Sequence, residues 1–388
     1  MDYLVIARKY RPQTFSDVAG QEVVARTLSN AIRKGKVAHA YLLTGPRGVG
    51  KTSMARILAK ALCCVQGPTT EPCGVCEHCT MIADSNHPDV LEIDAARFGH
   101  VGEIRELCDN ASFAPSLARV RIYLLDEVHM ITKEGWNALL KVLEEPPKHL
   151  HFIFATTEVE KVLPTVLSRT QRFDFRSIPL EAISENLAAI AAKEGVNLPA
   201  AVFPRIARAA GGGMRDAQTL LDQLIAVSGG ESEAEADLDL LLGAARGEDL
   251  NELVGRLIEG ATAPAFDALE RMCAAGAAPA VIFDQLIDHV RAMLLVQACG
   301  KDAPAVRRLG LWTEVLDAHA RTCTPEKTMR MCQVLIGSQQ ALRQGVDPRL
   351  QLELACVRLA TLGTVQDLDG LLRRIERIET NPGGSRPR

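Results

Sequence analysis

A glycine-rich segment that ends in lysine and threonine carries the strongest chemical signal in the chain. The segment GPRGVGKT at residues 45–52 follows an apolar run at 40–44 and precedes an amphipathic stretch at 53–62. This order of strand, turn and helix is the context in which the G-x-x-x-x-G-K-[ST] motif binds phosphate: glycine lets backbone N–H groups face the anion, and the helix adds its positive end. Lys51 then reaches the β- and γ-phosphates, and the Thr52 hydroxyl ligates Mg²⁺. The predicted phosphate-binding residues are Gly45, Pro46, Arg47, Gly48, Val49, Gly50, Lys51, Thr52, Ser53 and Met54.

Two adjacent carboxylates supply what the phosphate loop lacks for hydrolysis. Asp126 and Glu127 end the apolar run at 120–125, and a continuous run of this kind is typical of a strand buried on both faces of a parallel sheet. A carboxylate at the C-terminal end of such a strand lies at the sheet edge where nucleotides bind. We therefore expect Asp126 to hold Mg²⁺ with Thr52, and Glu127 to orient and polarise the attacking water. The pair implies ATP hydrolysis and not nucleotide binding alone.

Further polar side chains are candidates for contacts with the γ-phosphate, since phosphoryl transfer is catalysed mainly by positioning and charge. Thr156 and Thr157 end the next apolar run and can bond the phosphate or the water; the alternative is two solvated hydroxyls. Arg215 opens a later helix and can lean over the nucleotide, or it can pair with Asp216. Arg169 is poorly placed to reach its own nucleotide, so it either acts on a neighbour's as an arginine finger or is an ordinary surface arginine.

A group of cysteines indicates a metal site. The sequence CGVCEHC at 73–79 has C-x₂-C-x₂-C spacing, and Cys64 stands upstream. Four thiolates suffice for a closed tetrahedral Zn²⁺ site, which is structural because no position remains for water. A redox pair would need only two of them, and an iron–sulfur run would need another cysteine three residues further on. Cys63 or His78 remain alternatives to Cys64. The predicted zinc ligands are Cys64, Cys73, Cys76 and Cys79.

Composition limits the class of protein. Of the 388 residues, 47% are apolar and only 4% are aromatic, so the cores must be aliphatic. The formal net charge is -4, whereas a protein that coats nucleic acid by bulk charge would be basic. The first residues lack the charged start and apolar core of a secretory signal, so we expect none. No apolar run is long enough to span a bilayer. We expect a cytoplasmic protein without membrane contact, and free thiols instead of disulfides. The cysteines expected to be small buried apolar residues are Cys108, Cys273, Cys299, Cys323, Cys332 and Cys356.

The order of elements predicts an α/β domain followed by helical ones. Apolar strands alternate with amphipathic helices up to residue 178, which is typical of a doubly wound parallel sheet with helices on both faces. No convincing strand follows. The predicted domains are an ATP-binding domain at 1–178 with a zinc knuckle at about 63–80, a three-helix lid at 179–242, a helical collar at 243–363, and a charged helix with a disordered tail at 364–388.

Taken together, these motifs resemble the gamma/tau subunits of the bacterial DNA polymerase III clamp loader, a family of AAA+ ATPases. A zinc knuckle between the phosphate loop and the acidic pair is particular to bacterial clamp-loader subunits. The later helices resemble the family's collar only in length and character. The resemblance is carried by that knuckle and by residues 8–12, 18–21, 45–52, 126–129, 137–147, 155–157, 167–169 and 214–217.

The resemblance implies further roles. Thr157 would be the sensor on the sheet, Arg215 the sensor in the lid, and Arg169 would complete a neighbouring subunit's site, although the usual Ser-Arg-Cys here ends in Thr170. The longer family form carries additional C-terminal domains, so the resemblance implies a short form or a truncated product. The implied adenine pocket is lined by Ala7, Arg8, Arg11, Pro12, Val18 and Ala19.

The implied function is ATP-driven loading of the sliding clamp onto primer–template DNA by a hetero-pentameric ring of clamp-loader subunits. The expected ligands are ATP, Mg²⁺ and Zn²⁺. The family belongs to a DNA polymerase holoenzyme, but we expect no polymerase active site, because Asp126 and Glu127 already have an ATPase role. Two alternatives remain: a non-hydrolysing scaffold subunit of the same ring, and a AAA+ helicase or branch-migration motor. The intact motif residues argue against the first, and the zinc knuckle and collar against the second.

Overall fold

The computed structural model describes residues 4–99, 101–228, 234–303, 306 and 314–362. These residues fall into two units, divided between Glu235 and Ala236. The predicted charged helix and tail at 364–388 lie outside the described residues. None of the described helices is both long enough and apolar enough to cross a membrane.

The first unit is built on a sheet of five parallel strands in the order β2–β3–β4–β1–β5. Alternate residues of each central strand enter different cores: Tyr41 and Leu43 pack on one face of the sheet, Ala40 and Leu42 on the other. Apolar packing on both faces explains the continuous apolar runs in the sequence, and it confirms the predicted doubly wound sheet. The strands are β1 (Ala40–Thr44), β2 (Val90–Asp94), β3 (Arg121–Asp126), β4 (Leu150–Thr156) and β5 (Gln171–Asp174).

Helices cover the sheet and then continue without further strands in the described residues. Three short helices were not predicted, because one or two turns are too short to show helical periodicity; they are α1, α4 and α7 below. The helices of this unit are α1 (Ile6–Lys9), α2 (Glu22–Arg33), α3 (Lys51–Cys63), α4 (Glu77–Ala83), α5 (Val101–Ala111), α6 (Lys133–Glu144), α7 (Pro164–Leu167), α8 (Leu180–Lys193), α9 (Val202–Ala209) and α10 (Met214–Val227).

The second unit contains only helices among its described residues, as predicted. Its apolar core is centred on the longest helix, where Phe283, Leu286 and Val290 are fully buried. Of the six cysteines expected to be buried, Cys323 and Cys356 are buried, and Cys108, Cys273 and Cys332 are only partly buried. The prediction is wrong for Cys299, the last residue of that helix, which is exposed. The helices are α11 (Ala234–Leu242), α12 (Gly247–Glu259), α13 (Thr262–Ala274), α14 (Pro279–Cys299), α15 (Glu314–Thr322), α16 (Pro325–Arg343) and α17 (Pro348–Thr361).

A histidine pair, with His289 buried and His319 partly buried, makes the stability of this unit depend on pH. His289 Nε2 lies 3.1 Å from His319 Nδ1, and burial, with His319 acting in the same direction, lowers the pKa of His289 to about 4. The unfolded chain, with a pKa near 6.5, binds the proton more readily, so stability present at neutral pH is lost as pH falls from about 6.5 to about 4. We expect a loss of about 2 kcal/mol by roughly pH 5.

Thermal unfolding of the chain and of a His289→Leu variant at neutral and mildly acidic pH measures this loss. The carboxylates titrate in both proteins, so only the difference between the two pH profiles belongs to His289. Identical profiles would contradict the prediction.

Candidate functional site

The phosphate loop joins β1 to α3 in a conformation that requires glycine. Gly45, Gly48 and Gly50 have φ angles of 141°, 76° and 99°, which other residues rarely adopt. A Cβ on Gly45 would also collide with the backbone carbonyl of Phe175. Gly50 is the N-cap of α3 and has no side chain to cap it. The first N–H groups of the helix therefore remain directed at the loop, as an anion site needs.

Lys51 is buried at the start of α3, and its own loop holds it. Its Nζ donates to the carbonyl oxygens of Gly45 and Pro46, both at 2.7 Å. Burial lowers the pKa of Lys51, while the charges of Glu127 and Asp126 act to raise it. The ammonium is thus held in place by weak neutral acceptors that a phosphate can replace.

The phosphate loop meets the acidic strand end directly. Thr52 Oγ1 donates to Asp126 Oδ2 at 2.7 Å, which joins the first turn of α3 to the last residue of β3. Asp126 also accepts from the backbone N–H of Glu127 at 2.9 Å. A hydroxyl and a carboxylate are oxygen ligands of the kind that Mg²⁺ prefers, so the donor set fits this ion.

Glu127 leaves β3 with a left-handed backbone, at φ 49°. The strand was predicted to include it, but such a φ is rare for a residue with a side chain and marks a functional or strained position. Its Oε2 accepts from the backbone N–H and the hydroxyl of Thr157, at 3.3 and 3.2 Å. The two residues predicted to act at the γ-phosphate from neighbouring strands therefore contact each other.

The other threonine of the pair has a different position. Thr156 is fully buried, and its hydroxyl lies 3.1 Å from His129 Nδ1 and accepts from the backbone N–H of Glu158 at 3.0 Å. His129 also lies 3.4 Å from Glu127 Oε2 and 3.2 Å from Glu158 Oε1. The sequence did not indicate separate roles for His129 and Glu158. The signal that could have found them is their position in the sequence, because His129 follows the acidic pair by two residues and Glu158 directly follows Thr157.

A cavity of about 890 Å³ opens beside the loop. Its lining includes Asp126 and Glu127 from the sheet edge and Arg215 from the helical segment. It also includes most of the residues assigned to nucleotide binding: Ala7, Arg11, Pro12, Val18, Ala19, Arg47, Gly48, Val49, Gly50, Lys51, Thr52 and Ser53. The cavity is thus enclosed by the N-terminal segment, the loop, and α8 and α10.

Four residues assigned to nucleotide binding are not among those that line the cavity. Arg8 lies outside the lining, and the side chain of Met54 is fully buried in the apolar core. Gly45 and Pro46 contribute the carbonyl groups that hold Lys51. Lining residues that the sequence did not indicate include Asn186, Lys193 and Gln218. They lie on α8 and α10, more than a hundred residues after the loop, and they belong to no recognisable motif.

Arg215 is brought against the loop by the start of α10. Its backbone N–H lies 3.4 Å from the carbonyl oxygen of Gly48, and within the described residues it forms no ion pair with Asp216, the alternative partner. Burial lowers the pKa of the nearby Arg11, and the charges of Arg56, Arg215 and Arg8 contribute to the shift. Arg11, Arg47 and Arg215 thus bring positive charge to a cavity that Asp126 and Glu127 also line, and guanidinium groups of this kind can bind phosphate oxygens.

Arg169 does not line this cavity. It lines a separate open groove of about 720 Å³ with residues of β1, α6 and β5. Its guanidinium pairs with Glu144 Oε1 at 2.8 Å and donates to the Thr165 carbonyl at 2.8 Å. This placement agrees with the expectation that Arg169 does not serve its own nucleotide site.

The four predicted zinc ligands form one cluster. The Sγ atoms of Cys64, Cys73, Cys76 and Cys79 lie within 4.8 Å of one another. Tetrahedral Zn–S bonds of about 2.3 Å would place them roughly 3.8 Å apart, so the donor set fits zinc. Burial opposes ionisation of Cys76, but hydrogen bonds from the backbone N–H groups of Val65 and Cys79 hold its pKa at about 6. These hydrogen bonds favour the thiolate of Cys76, the form that binds metal.

The two alternative ligands lie outside the cluster. Burial raises the pKa of Cys63 to about 12, which keeps that thiol neutral inside the apolar core. His78 lies beside His87, with the two rings tilted by 35° and Nδ1 of His78 2.9 Å from Nε2 of His87. Arg119 donates to the carbonyl groups of Cys64, Val65 and Gly67 and so fastens the cysteine segment to the residues that precede β3.

Comparison with known proteins gives consistent matches along the chain. Three family models match: DNA polymerase III, delta subunit, over residues 20–179; DNA polymerase III clamp loader subunit, ATPase lid domain, over 182–230; and DNA polymerase III subunits gamma and tau domain III, over 234–375. Among solved structures, the Thermotoga maritima RuvB Holliday junction branch migration motor is 19% identical, with a TM-score of 0.46 over 64% of this chain and 80% of that chain. A similarity this low supports no argument.

Curated relatives are similar over nearly the whole chain. The Bacillus subtilis DNA polymerase III subunit tau is 37% identical over 384 residues, which cover 98% of this chain and 68% of that protein. The Mycobacterium tuberculosis DNA polymerase III subunit gamma/tau is 41% identical over 97% of this chain and 66% of its own length. The Escherichia coli DNA polymerase III subunit tau is 37% identical over 92% of this chain and 55% of its length. The chain therefore spans about two thirds or less of the length of these relatives.

Proposed function

This chain belongs to the DNA polymerase III gamma/tau family, and on that premise we propose that it is an ATP-hydrolysing subunit of a clamp loader. The observation that carries the proposal is the 2.7 Å hydrogen bond from Thr52 to Asp126. It brings the phosphate loop and the acidic strand end to one point of a cavity that Glu127 and Arg215 also line. Phosphate binding, a metal-holding pair and a water-activating carboxylate are then available together, as ATP hydrolysis requires.

In the proposed reaction the chain's own groups position ATP and the attacking water. Lys51 exchanges the carbonyl groups of Gly45 and Pro46 for the β- and γ-phosphates. The backbone N–H groups of the loop and the start of α3 bind the phosphate oxygens. Glu127, held through Oε2 by Thr157, keeps Oε1 for the water. Arg215 adds charge above the γ-phosphate from the start of α10.

The two metals have separate roles in this proposal. Thr52 and Asp126 would hold Mg²⁺, which neutralises charge that develops on the phosphate oxygens. Cys64, Cys73, Cys76 and Cys79 would hold a structural Zn²⁺ that stabilises the cysteine segment.

The proposed partners follow from the family. The subunit would assemble with other clamp-loader subunits into a hetero-pentameric ring, and that ring would hold the sliding clamp open while primer–template DNA enters. Arg169 would complete the nucleotide site of a neighbouring subunit. DNA contact would trigger hydrolysis and release the clamp, so the affinities for clamp and DNA would be coupled to the γ-phosphate. No polymerase activity is proposed, because the acidic pair already has its role in ATP hydrolysis.

The test is the ATPase rate of the reconstituted ring with and without clamp and primed DNA. We expect stimulation by DNA that depends on the clamp, and its loss in a Glu127→Gln variant that still binds ATP. A single unchanging rate under all conditions would contradict the proposal. Undetectable turnover would indicate the scaffold alternative, and strand unwinding by the ring would indicate a motor.

Replacement of Cys76 tests the zinc proposal separately. In a Cys76→Ser variant we expect loss of bound zinc and a lower melting temperature, because metal binding contributes directly to the stability of such sites. Elemental analysis of the purified chain measures the metal, and Cys63→Ser is the matched control that keeps all four ligands. Iron in place of zinc, or zinc retained by the Cys76→Ser variant, would contradict this prediction.

A further inference from the structure

The guanidinium of Arg169 is held in a fixed position at the edge of its groove. Nη1 donates to the carbonyl oxygen of Thr165 at 2.8 Å and to Ser168 Oγ at 3.1 Å. Nη2 donates to Glu144 Oε1 at 2.8 Å. Three acceptors from two different elements therefore fix the plane of a side chain that is otherwise among the most flexible.

Both elements that hold it are anchored in the apolar core. Glu144 is the last residue of α6 and follows Leu143, which is buried. Glu145 is the C-cap, and Pro146 and Pro147 come after it. On the other side, Val166 of α7 is fully buried. The backbone at each acceptor is thus anchored in the core, although the ion pair itself reaches the surface, where the Glu144 side chain is 53% exposed.

From this arrangement we propose that Glu144 is a positioning residue for Arg169. It would hold the guanidinium facing the open groove of about 720 Å³, ready for the nucleotide phosphate of a neighbouring subunit. This inference rests on the proposed function, in which Arg169 acts in trans. Glu144 itself touches no phosphate in this proposal; it acts through the arginine.

The energetics favour a role in geometry over one in stability. An exposed ion pair contributes only about 0–1 kcal/mol to folding, so its loss should leave the chain folded. A misplacement of a catalytic group by about 1 Å can cost up to 10²-fold in rate. Removal of Glu144 should therefore affect the rate much more than the melting temperature.

Two substitutions separate positioning from charge. Glu144→Ala removes the acceptor, and we expect the turnover number of the reconstituted ring to fall about tenfold with KM for ATP unchanged. Glu144→Gln keeps an oxygen that accepts from Nη2, so it should restore turnover to within about twofold. The control is Glu145→Ala, an exposed residue next in the chain, which should behave as the unaltered protein.

Several outcomes would overturn the inference. Normal turnover in Glu144→Ala would show that Arg169 needs no such partner. A rise in both variants would mean that Glu144 restrains the arginine, and an equal fall in both would make charge, not position, the cause. In an Arg169→Ala background, Glu144→Ala should add no further loss, because the two act as a unit. If Arg169→Ala alone retained full turnover, the trans role in the proposed function would fail instead.

Discussion

A Lys51→Ala chain should bind ATP at least about 100-fold more weakly, and rings assembled from it should not hydrolyse ATP at this subunit. Among the residues that the structure describes, Lys51 Nζ donates to two loop carbonyl groups, so its contacts to the β- and γ-phosphates would be new, charge-assisted hydrogen bonds. Such bonds contribute roughly 1.5–3 kcal/mol each. Two of them correspond to a factor of about 10² to 10⁴ in affinity.

Titration with a fluorescent ATP analogue measures this affinity in the isolated chain, and the ATPase rate measures turnover in the ring. Lys133→Ala, an exposed lysine at the start of α6, is the control for loss of a positive charge. The fold should survive, since the loop is shaped by its glycines and not by the lysine. Unaltered ATP affinity in Lys51→Ala would remove the basis for a phosphate site here.

An Arg169→Ala chain should show the opposite pattern: normal ATP binding with turnover reduced by about 10³ to 10⁵, the range for loss of an arginine finger. The reason is its location. Arg169 lines its own groove and not the nucleotide cavity, so its removal leaves every group that binds ATP in the same chain in place. The nucleotide site that loses activity is the one on the neighbouring subunit.

Binding and turnover assays on the assembled ring check this prediction. Arg172→Ala is a matched control, because Arg172 is a half-exposed arginine three residues later that pairs with Asp174. Turnover at the normal rate by the Arg169→Ala ring would refute action in trans. A loss of ATP binding would show that Arg169 belongs to its own subunit's site.

The sequence indicated those features that depend on local spacing. The glycines and lysine at 45–51, the acids at and just after the end of β3 and the C-x₂-C-x₂-C group are recognisable because the chemistry needs neighbouring residues. The sheet was also predictable, because strands buried on both faces are continuously apolar. The strand order β2–β3–β4–β1–β5 was not predictable from the sequence, because it depends on which face of the sheet each connecting helix crosses.

The sequence did not indicate where neighbouring residues take different positions in the fold, nor which distant residues meet. Both Thr156 and Thr157 are candidates for a contact with the γ-phosphate, and the resemblance assigns the sensor role to Thr157. In the structure Thr157, which follows the last residue of β4, contacts Glu127, whereas the buried Thr156 lies beside His129. Lys193 and Gln218 line the cavity from helices whose packing no local pattern encodes. Met54 follows the motif in sequence but turns into the core, because the helical repeat carries its side chain away from the loop.

The location of Arg169 away from the cavity of its own chain has one more consequence. If Arg169 of each copy completes the nucleotide site of the next copy, a mixture of two inactive variants should regain activity. In a mixture, the Lys51→Ala chain supplies a sound arginine and the Arg169→Ala chain supplies a sound phosphate loop, so wherever they adjoin in the correct order one working site is rebuilt. Assemblies that contain both variants would thus show activity that neither variant shows alone. The fraction of activity regained would indicate how many copies of this chain are adjacent in the assembly.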